Sequence, residues 1–395
     1  MKRIWQILLV LLLLAATALV SSWLTVRSLW FEPMETEPVT AKMLEIQKYL
    51  DTVFVEDYEE DTVTAAAADG AAAAMIQATG DRWSYYIPAS GMQGHEEDRN
   101  NSYVGVGIVI RQHDEGFQVT SVTEGGPASQ AGMQQGDLLT AIEGQPVTDM
   151  TVEDAADIVR GEEGTPVSFT VRRDEQEFTL TILRGTVIEK VASARMLEEE
   201  IGLITITDFA LHSAEQTLAC LDELLDRGAK AVVFDVRFNP GGYRTELVRI
   251  LDALLPEGEV FHAVDYAGKE AFAYSDAKGL ELPMAVLINA DTYSAAEFFA
   301  AALQEYEAAE IVGTKTSGKG NFQYTYTLSD GSGLNLSVGK YYTPKGRSLT
   351  DVGVTPDVEV ELSDADLWDL YYSMLLPEDD EQLQAAVNGL RQKIS

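Results

Sequence analysis

The chain has 395 residues, 46% of them apolar, which is enough for two or three domains with cores of their own. Its 64 acidic residues against 28 basic ones leave a net charge of −36 with no clustered Lys and Arg, which excludes a nucleic-acid binder built on phosphate contacts. A single cysteine, Cys220, excludes an intrachain disulfide framework, and four scattered histidines argue against a metal centre.

Lys2 and Arg3 precede an apolar run from Ile4 to Val26. A bilayer core takes roughly 20 apolar helical residues, so the run predicts a single-pass membrane anchor over residues 1–27. The basic flank puts the N-terminus in the cytoplasm and everything after the anchor outside the cell membrane. The competing expectation is a signal peptide cleaved near Ala16-Thr17-Ala18, which releases a secreted protein. Residues 28–40, with FEPMETEP, read as an acidic linker. Residues 41–95 read as a helical region: AKMLEIQKYLDTVF carries an apolar stripe and TAAAADGAAAAMIQATG is alanine-rich, interrupted by Gly70. Met43 to Phe54 suits pairing between subunits as well as within one, so a homo-oligomer is among the expectations.

Residues 96–186 change character. YVGVGIVIRQ, FQVTSV, DLLTAIEGQPV, PVSFTVRR and EFTLTIL are strand-like, with one helical stretch, TVEDAADIVRG, between them. From residue 187 to 375 strands and helices alternate: IGLITI, SAEQTLACLDELLDRG, KAVVFDV, TELVRILDALLP, MAVLINA, SAAEFFAAALQEY, AEIVGT. Continuous apolar strands between amphipathic helices predict a multidomain α/β protein whose largely parallel sheet is covered on both faces. Residues 376–395 read as a C-terminal helical tail. Cys220, in LACLDELLDRG, reads as a small core residue.

In such sheets ligands gather at the carboxyl ends of strands. Two features stand there. FDVRFNPGGY runs into Gly241-Gly242, which let the backbone turn sharply and leave amides bare. MAVLINADTYSAAEFF puts Ser294 where a helix starts, so the Ala295 amide and one from Gly241 or Gly242 suit an oxyanion hole. The same residues fit plainer roles, because Ser294 with Glu297 three positions on is a capping box and a glycine pair is a turn. A serine nucleophile needs a base. His212, His262 and Lys319, between Gly318 and Gly320, are the options, a lysine serving where burial disfavours its ammonium.

Taken together and in order, Asn239-Pro240-Gly241-Gly242, Tyr293-Ser294-Ala295-Ala296-Glu297 and Gly318-Lys319-Gly320-Asn321-Phe322-Gln323 resemble the motifs of the carboxy-terminal processing proteases, the tail-specific S41 serine peptidases. GDRWSYY, GKYYTPKGRS and GVTPDVEV extend the resemblance over nearly the whole chain after the anchor. It implies a ClpP/crotonase-like α/β peptidase core, Ser294 as nucleophile, Lys319 as general base and Gln323 as the residue that positions it, with no metal or organic cofactor. Three positions depart from the family pattern: Tyr293 replaces a small residue, and Arg82-Trp83 replaces Pro-Tyr. The inserted β-rich module resembles a PDZ domain. The resemblance makes Gly105-Val106-Gly107-Ile108 the loop whose amides hold a peptide's terminal carboxylate, and Arg160 a residue coupling the module to the active site. Arg160 also reads as a solvated cation at a helix C-terminus. The implied partners are protein or peptide substrates with exposed C-termini, and the membrane through residues 4–26.

Two other functions compete with this reading. A catalytically silent PDZ adapter is disfavoured because Ser, Lys and Gln are all present. A penicillin-recognising acyl enzyme formally matches Ser275-Asp276-Ala277-Lys278 and Ser337-Val338-Gly339-Lys340, but their spacing and order relative to Lys315-Thr316-Ser317-Gly318 are wrong.

Overall fold

The computed structural model describes residues 38–394, so the anchor expected over residues 1–27 lies outside them. Among the described residues no helix is long and apolar enough to cross a membrane. They fall into two compact units that divide after Arg82.

The first unit holds α1 (Pro38–Val53) and α2 (Glu60–Gln77). The last three residues of the expected linker therefore open α1, and Gly70 does not break α2, since one glycine among alanines costs only about 1 kcal/mol. Neither helix buries a residue.

The second unit begins with β1 (Tyr85–Ile87) and α3 (Met92–Asn100). The stretch expected to close a helical region is thus a strand and a helix of this unit. The β-rich module follows as expected: β2 (Ser102–Gly105), β3 (Ile108–His113), β4 (Gly116–Val122), α4 (Pro127–Gln130), β5 (Leu138–Ile142), β6 (Gln145–Pro146), α5 (Val152–Val159), β7 (Pro166–Arg173), β8 (Gln176–Leu183) and β9 (Gly185–Ile188). Its main sheet runs β3-β4-β5-β7-β8, with β6 on β5, while β2 and β9 form a two-stranded ribbon. Alternation decides which face is buried: Val167, Phe169 and Val171 of β7 point inward onto Phe117, Leu139 and Ile142. Thr151 and Asp154 form a capping box that starts α5.

The core comprises β10 (Ala192–Met196), β11 (Ile201–Ile206), α6 (Ser213–Asp226), β12 (Ala231–Asp235), α7 (Arg244–Leu254), β13 (Pro256–Asp265), β14 (Glu270–Lys278), β15 (Met284–Ile288), α8 (Ala295–Glu305), β16 (Ala309–Gly313), β17 (Asn321–Thr327), β18 (Gly333–Tyr342), β19 (Val358–Glu359), α9 (Asp364–Tyr371) and α10 (Glu381–Ile394). The sheet β10-β11-β12-β15-β16-β19 is parallel except at β10. Every residue of β12 and β15 is buried, as two-sided cover demands. Helices α6, α7 and α8 cover one face. Leu383, Ala386, Val387 and Leu390 of α10 cover the other, so the stretch expected as a tail is part of the core. It is held by the buried Arg237, which donates to Asp235 (2.6 Å) and to Asp380 (2.7 Å) at the start of α10.

A second, antiparallel sheet, β1-β18-β13-β14 with β17 on β18, adds to the expected parallel one. Helix α8 lies against both. It is buried from Ala295 to Leu303, with Phe299 against Phe209 and Phe234 and with Phe298 against Phe261 and Tyr341. A helix buried on all sides is fixed on all sides.

Candidate active site

Two loops at the carboxyl ends of β12 and β15 are stitched together by side chains. Asn239 donates from Nδ2 to the Ile206 carbonyl (2.8 Å), and its own carbonyl accepts from Tyr293 N–H (2.9 Å). Asn289 Oδ1 accepts the Phe238 N–H (3.0 Å), and Thr292 donates from its hydroxyl to the Val236 carbonyl (2.9 Å). The tie forces Ser294 into φ +50°, ψ −118°, a region that costs a residue with a side chain about 1–3 kcal/mol. Helix α8 starts immediately after it.

The glycine pair is required here. At Gly241 (φ +102°) a Cβ would stand 2.8 Å from Ser294 Cβ and 3.0 Å from Ala295 N, so this backbone touches the serine directly. At Gly242 (φ +138°) it would fall on the Phe209 backbone. One expectation changes: the Gly241 N–H donates to Asn239 Oδ1 (2.8 Å), closing its own turn, so it is not a bare amide.

The capping-box reading holds in part. The Glu297 carboxylate accepts the Ser294 N–H (2.9 Å), but Ser294 Oγ, although set over the Glu297 N–H, makes no hydrogen bond to it. That N–H goes to the Ser294 carbonyl (2.9 Å). Glu297 does far more than cap. It is fully buried, and besides Ser294 N–H it accepts from Thr316 Oγ1 (2.6 Å), Gly318 N–H (2.8 Å), Lys319 N–H (2.8 Å) and Ser317 Oγ (3.2 Å). One carboxylate therefore ties the backbone of Ser294 to the backbone of Lys319. In the sequence only its three-residue spacing from Ser294 is visible, because its other partners come from a loop 19–22 residues on.

Ser294, Lys319, Gln323, Gly241 and Gly242 line one open cleft of about 690 Å³. Gln323 follows an irregularity in the β17–β18 pairing, the kind of kink that re-aims a side chain. Its Nε2 donates to the Asn321 carbonyl (3.0 Å) and to Ser337 Oγ (3.2 Å). The Lys319 ammonium lies 4.7 Å from the centroid of the Trp83 ring. His212 and His262 do not line the cleft: His212 is at the start of α6, 3.8 Å from Glu215, and His262 stacks on Phe272. Ser275 donates to the Leu255 carbonyl (2.9 Å) from within β14, not from a helix start, so the acyl-enzyme match has no structural counterpart.

A second cavity, about 480 Å³, lies in the β-rich module between β3 and α5. Gly105, Val106, Gly107 and Ile108 form its end wall, while Ile110, Ala155, Val159 and Phe169 give it an apolar lining. Arg160 is on its rim, well exposed and paired with Asp157 (3.1 Å), as the solvated reading of that residue expected. Helix α3 belongs to both cavities, and Asp98 lines both. From the same helix, His95 bonds Thr325 Oγ1 (3.1 Å) and Arg99 donates to Tyr243 OH (3.3 Å) on the side of the first cleft. Burial, aided by Arg99, pushes the His95 ring below its ordinary value. Across the cleft, burial lifts the Asp208 carboxyl to about 6, with an Ala210 backbone hydrogen bond opposing and Asp98 adding.

A doubly covered α/β core joined to a β module with a groove for an added strand defines the class: a serine peptidase carrying a peptide-docking domain. Residues 200–360 match the model of peptidase family S41, and residues 118–173 match that of the PDZ domain. The chain is 31% identical over 311 residues to the carboxy-terminal processing protease CtpA of Bacillus subtilis, covering 78% of this chain and 67% of that one. It is 28% identical over 367 residues to a probable CtpA-like serine protease of Staphylococcus saprophyticus, covering 91% and 74%. Among solved structures, the photosystem II D1 C-terminal processing protease aligns with a TM-score of 0.46 and 24% identity, over 80% of this chain and 86% of that one. The chain belongs to peptidase family S41 and is a serine-type endopeptidase of the carboxy-terminal processing class, with a PDZ domain.

Proposed function

We propose that this protein is a membrane-anchored endopeptidase that captures the C-termini of exported proteins in its PDZ groove and cleaves them with a serine–lysine pair. One observation carries the reading: Ser294 and Lys319 line the same cleft and hang from the same buried carboxylate, Glu297. Neutral Lys319 takes the Ser294 proton as Oγ attacks the scissile carbonyl. The developing oxyanion is met by the Ala295 N–H at the start of α8 and by the Gly242 N–H. Lys319 then protonates the leaving amine, and with Lys319 again as base water hydrolyses the acyl-enzyme. The Gln323 amide nitrogen is held within the β17–β18 hairpin, which leaves its oxygen to steady the Lys319 ammonium.

In the PDZ domain the amides of Gly105 to Ile108 take the terminal carboxylate, and the apolar lining takes the last side chain. Residues 4–26 hold the protein in the cell membrane with the catalytic part outside. The test is cleavage of an unfolded reporter with an apolar C-terminus by the full chain in detergent, with Ser294→Ala and Lys319→Ala beside it. Cleavage by wild type alone, with the reporter bound equally by all three, is the expected result. Tail binding without cleavage by wild type moves the reading to a PDZ adapter. Recovery of the protein in the soluble fraction of cells, without residues 4–26, overturns the anchor.

A further inference from the structure

Two of the three residues that depart from the family motifs, Trp83 and Tyr293, touch each other beside Lys319. The Tyr293 ring meets the Trp83 ring edge-on, with centroids 5.7 Å apart at 72°, and Trp83 in turn faces the Lys319 ammonium at 4.7 Å. Trp83 is well fastened for this. Its carbonyl accepts from Asn335 Nδ2 (3.3 Å), Ser84 Oγ accepts the Ser337 N–H (2.9 Å), and the next residues pair with β18, Tyr85 opposite Asn335. Strand β18 also carries β17, and with it Gln323, on its other edge. Tyr293 is likewise fixed, its N–H on Asn239 and its hydroxyl on Asp291 (2.7 Å).

The geometry points to Trp83 as a positioning residue for the general base, with Tyr293 as its brace: the indole face holds Lys319 while it is an ammonium and sets where Nζ stands when it has lost its proton. The inference rests on Lys319 being the base. An indole face within about 6 Å attracts a cation through the ring quadrupole. That attraction favours the charged form, so the ring makes Lys319 harder to deprotonate. Burial under the same ring works the other way, against the charged form. The two effects separate by substitution. Leucine keeps much of the bulk and removes the π face, whereas alanine removes both.

The other charged and titratable groups of the cleft are His95, Asp98 and Arg99 on α3, Asp208, Arg244, the pair Asp265 and Lys269, and the tyrosines 85, 243, 324 and 341. Glu297 lies beneath, on the Lys319 N–H. All are present in wild type and variant alike, so a difference between their pH profiles isolates the ring.

The test is the pH dependence of kcat/KM of the full chain on an internally quenched peptide. In Trp83→Leu the acid limb is expected to move to lower pH by about half a unit or more, with plateau kcat down about tenfold and KM within about twofold. Trp83→Phe, with its weaker π face, falls between. A second readout needs no turnover: in the Ser294→Ala protein, the emission lost on Trp83→Phe should titrate with pH and stop titrating when Lys319→Met is added. An acid limb that stays put or moves to higher pH in Trp83→Leu overturns the proposal, as does emission that titrates without Lys319. Activity surviving in Lys319→Ala would instead overturn the serine–lysine reading itself.

Discussion

Replacing Glu297 by glutamine changes one atom and removes the tie between the two arms of the active site. The carboxylate accepts five hydrogen bonds, Oε1 from Thr316 Oγ1 and Gly318 N–H, Oε2 from Ser294 N–H, Lys319 N–H and Ser317 Oγ. Glutamine has one accepting oxygen, so its NH₂ must face one of the two sets of donors. With the NH₂ toward Thr316, the hydroxyl can still accept, but the Gly318 N–H is left buried against a donor. The other orientation strands both Ser294 and Lys319. The cheaper choice loses a hydrogen bond to a charged acceptor and leaves one buried N–H unpaired, together about 2–4 kcal/mol. For a unit of this size that lowers Tm by roughly 3–6 °C. If Lys319 is the base, as proposed, a shift of its backbone by a fraction of an ångström misplaces it, so kcat should fall about tenfold to a hundredfold with KM little changed. Thermal melting and reporter kinetics of Glu297→Gln read both effects. A variant within about 1 °C and twofold of wild type would refute the role given to this carboxylate.

Gly241→Ala sets a Cβ 2.8 Å from Ser294 Cβ at φ +102°, so peptide cleavage should drop at least a hundredfold while PDZ binding of a tail peptide, measured by fluorescence anisotropy, is unchanged. Arg237→Ala leaves Asp235 and Asp380 buried without their cation, at a cost of about 3–5 kcal/mol, visible as a lower midpoint in denaturant and early exposure of α10 to hydrogen exchange. Asp208 carries its carboxyl at about 6 when folded, against about 3.9 unfolded, so the folded state binds the extra proton and stability falls as pH rises from about 4 to about 6. Asp208→Asn should flatten that part of the stability profile and raise stability at pH 7 by about 1–2 kcal/mol, checked by melts across the range.

The parts of this protein that the sequence determined are those whose physics is local. Strands β12 and β15 are buried on both faces, and their continuous apolar runs say so. The β-rich module shows in its period-two alternation, and Ser294, Lys319 and Gln323 stand in short motifs whose glycines are needed where the backbone turns. What the chain hid depends on residues far apart in it. Strand β1 adds to β18 some 250 residues later, so an aromatic segment that looked like the end of a helical region became a strand of the antiparallel sheet. Helix α10 read as a tail because nothing near it shows Arg237, across 143 residues, waiting for Asp380. Glu297 carries the local signal of a cap, and only the fold brings it the loop that delivers Lys319. Trp83 and Tyr293 were visible one at a time as departures from a pattern. Their meeting over the ammonium is decided by tertiary structure, because ring contacts and shared buried carboxylates depend on distances in space, while a sequence records only distances along the chain.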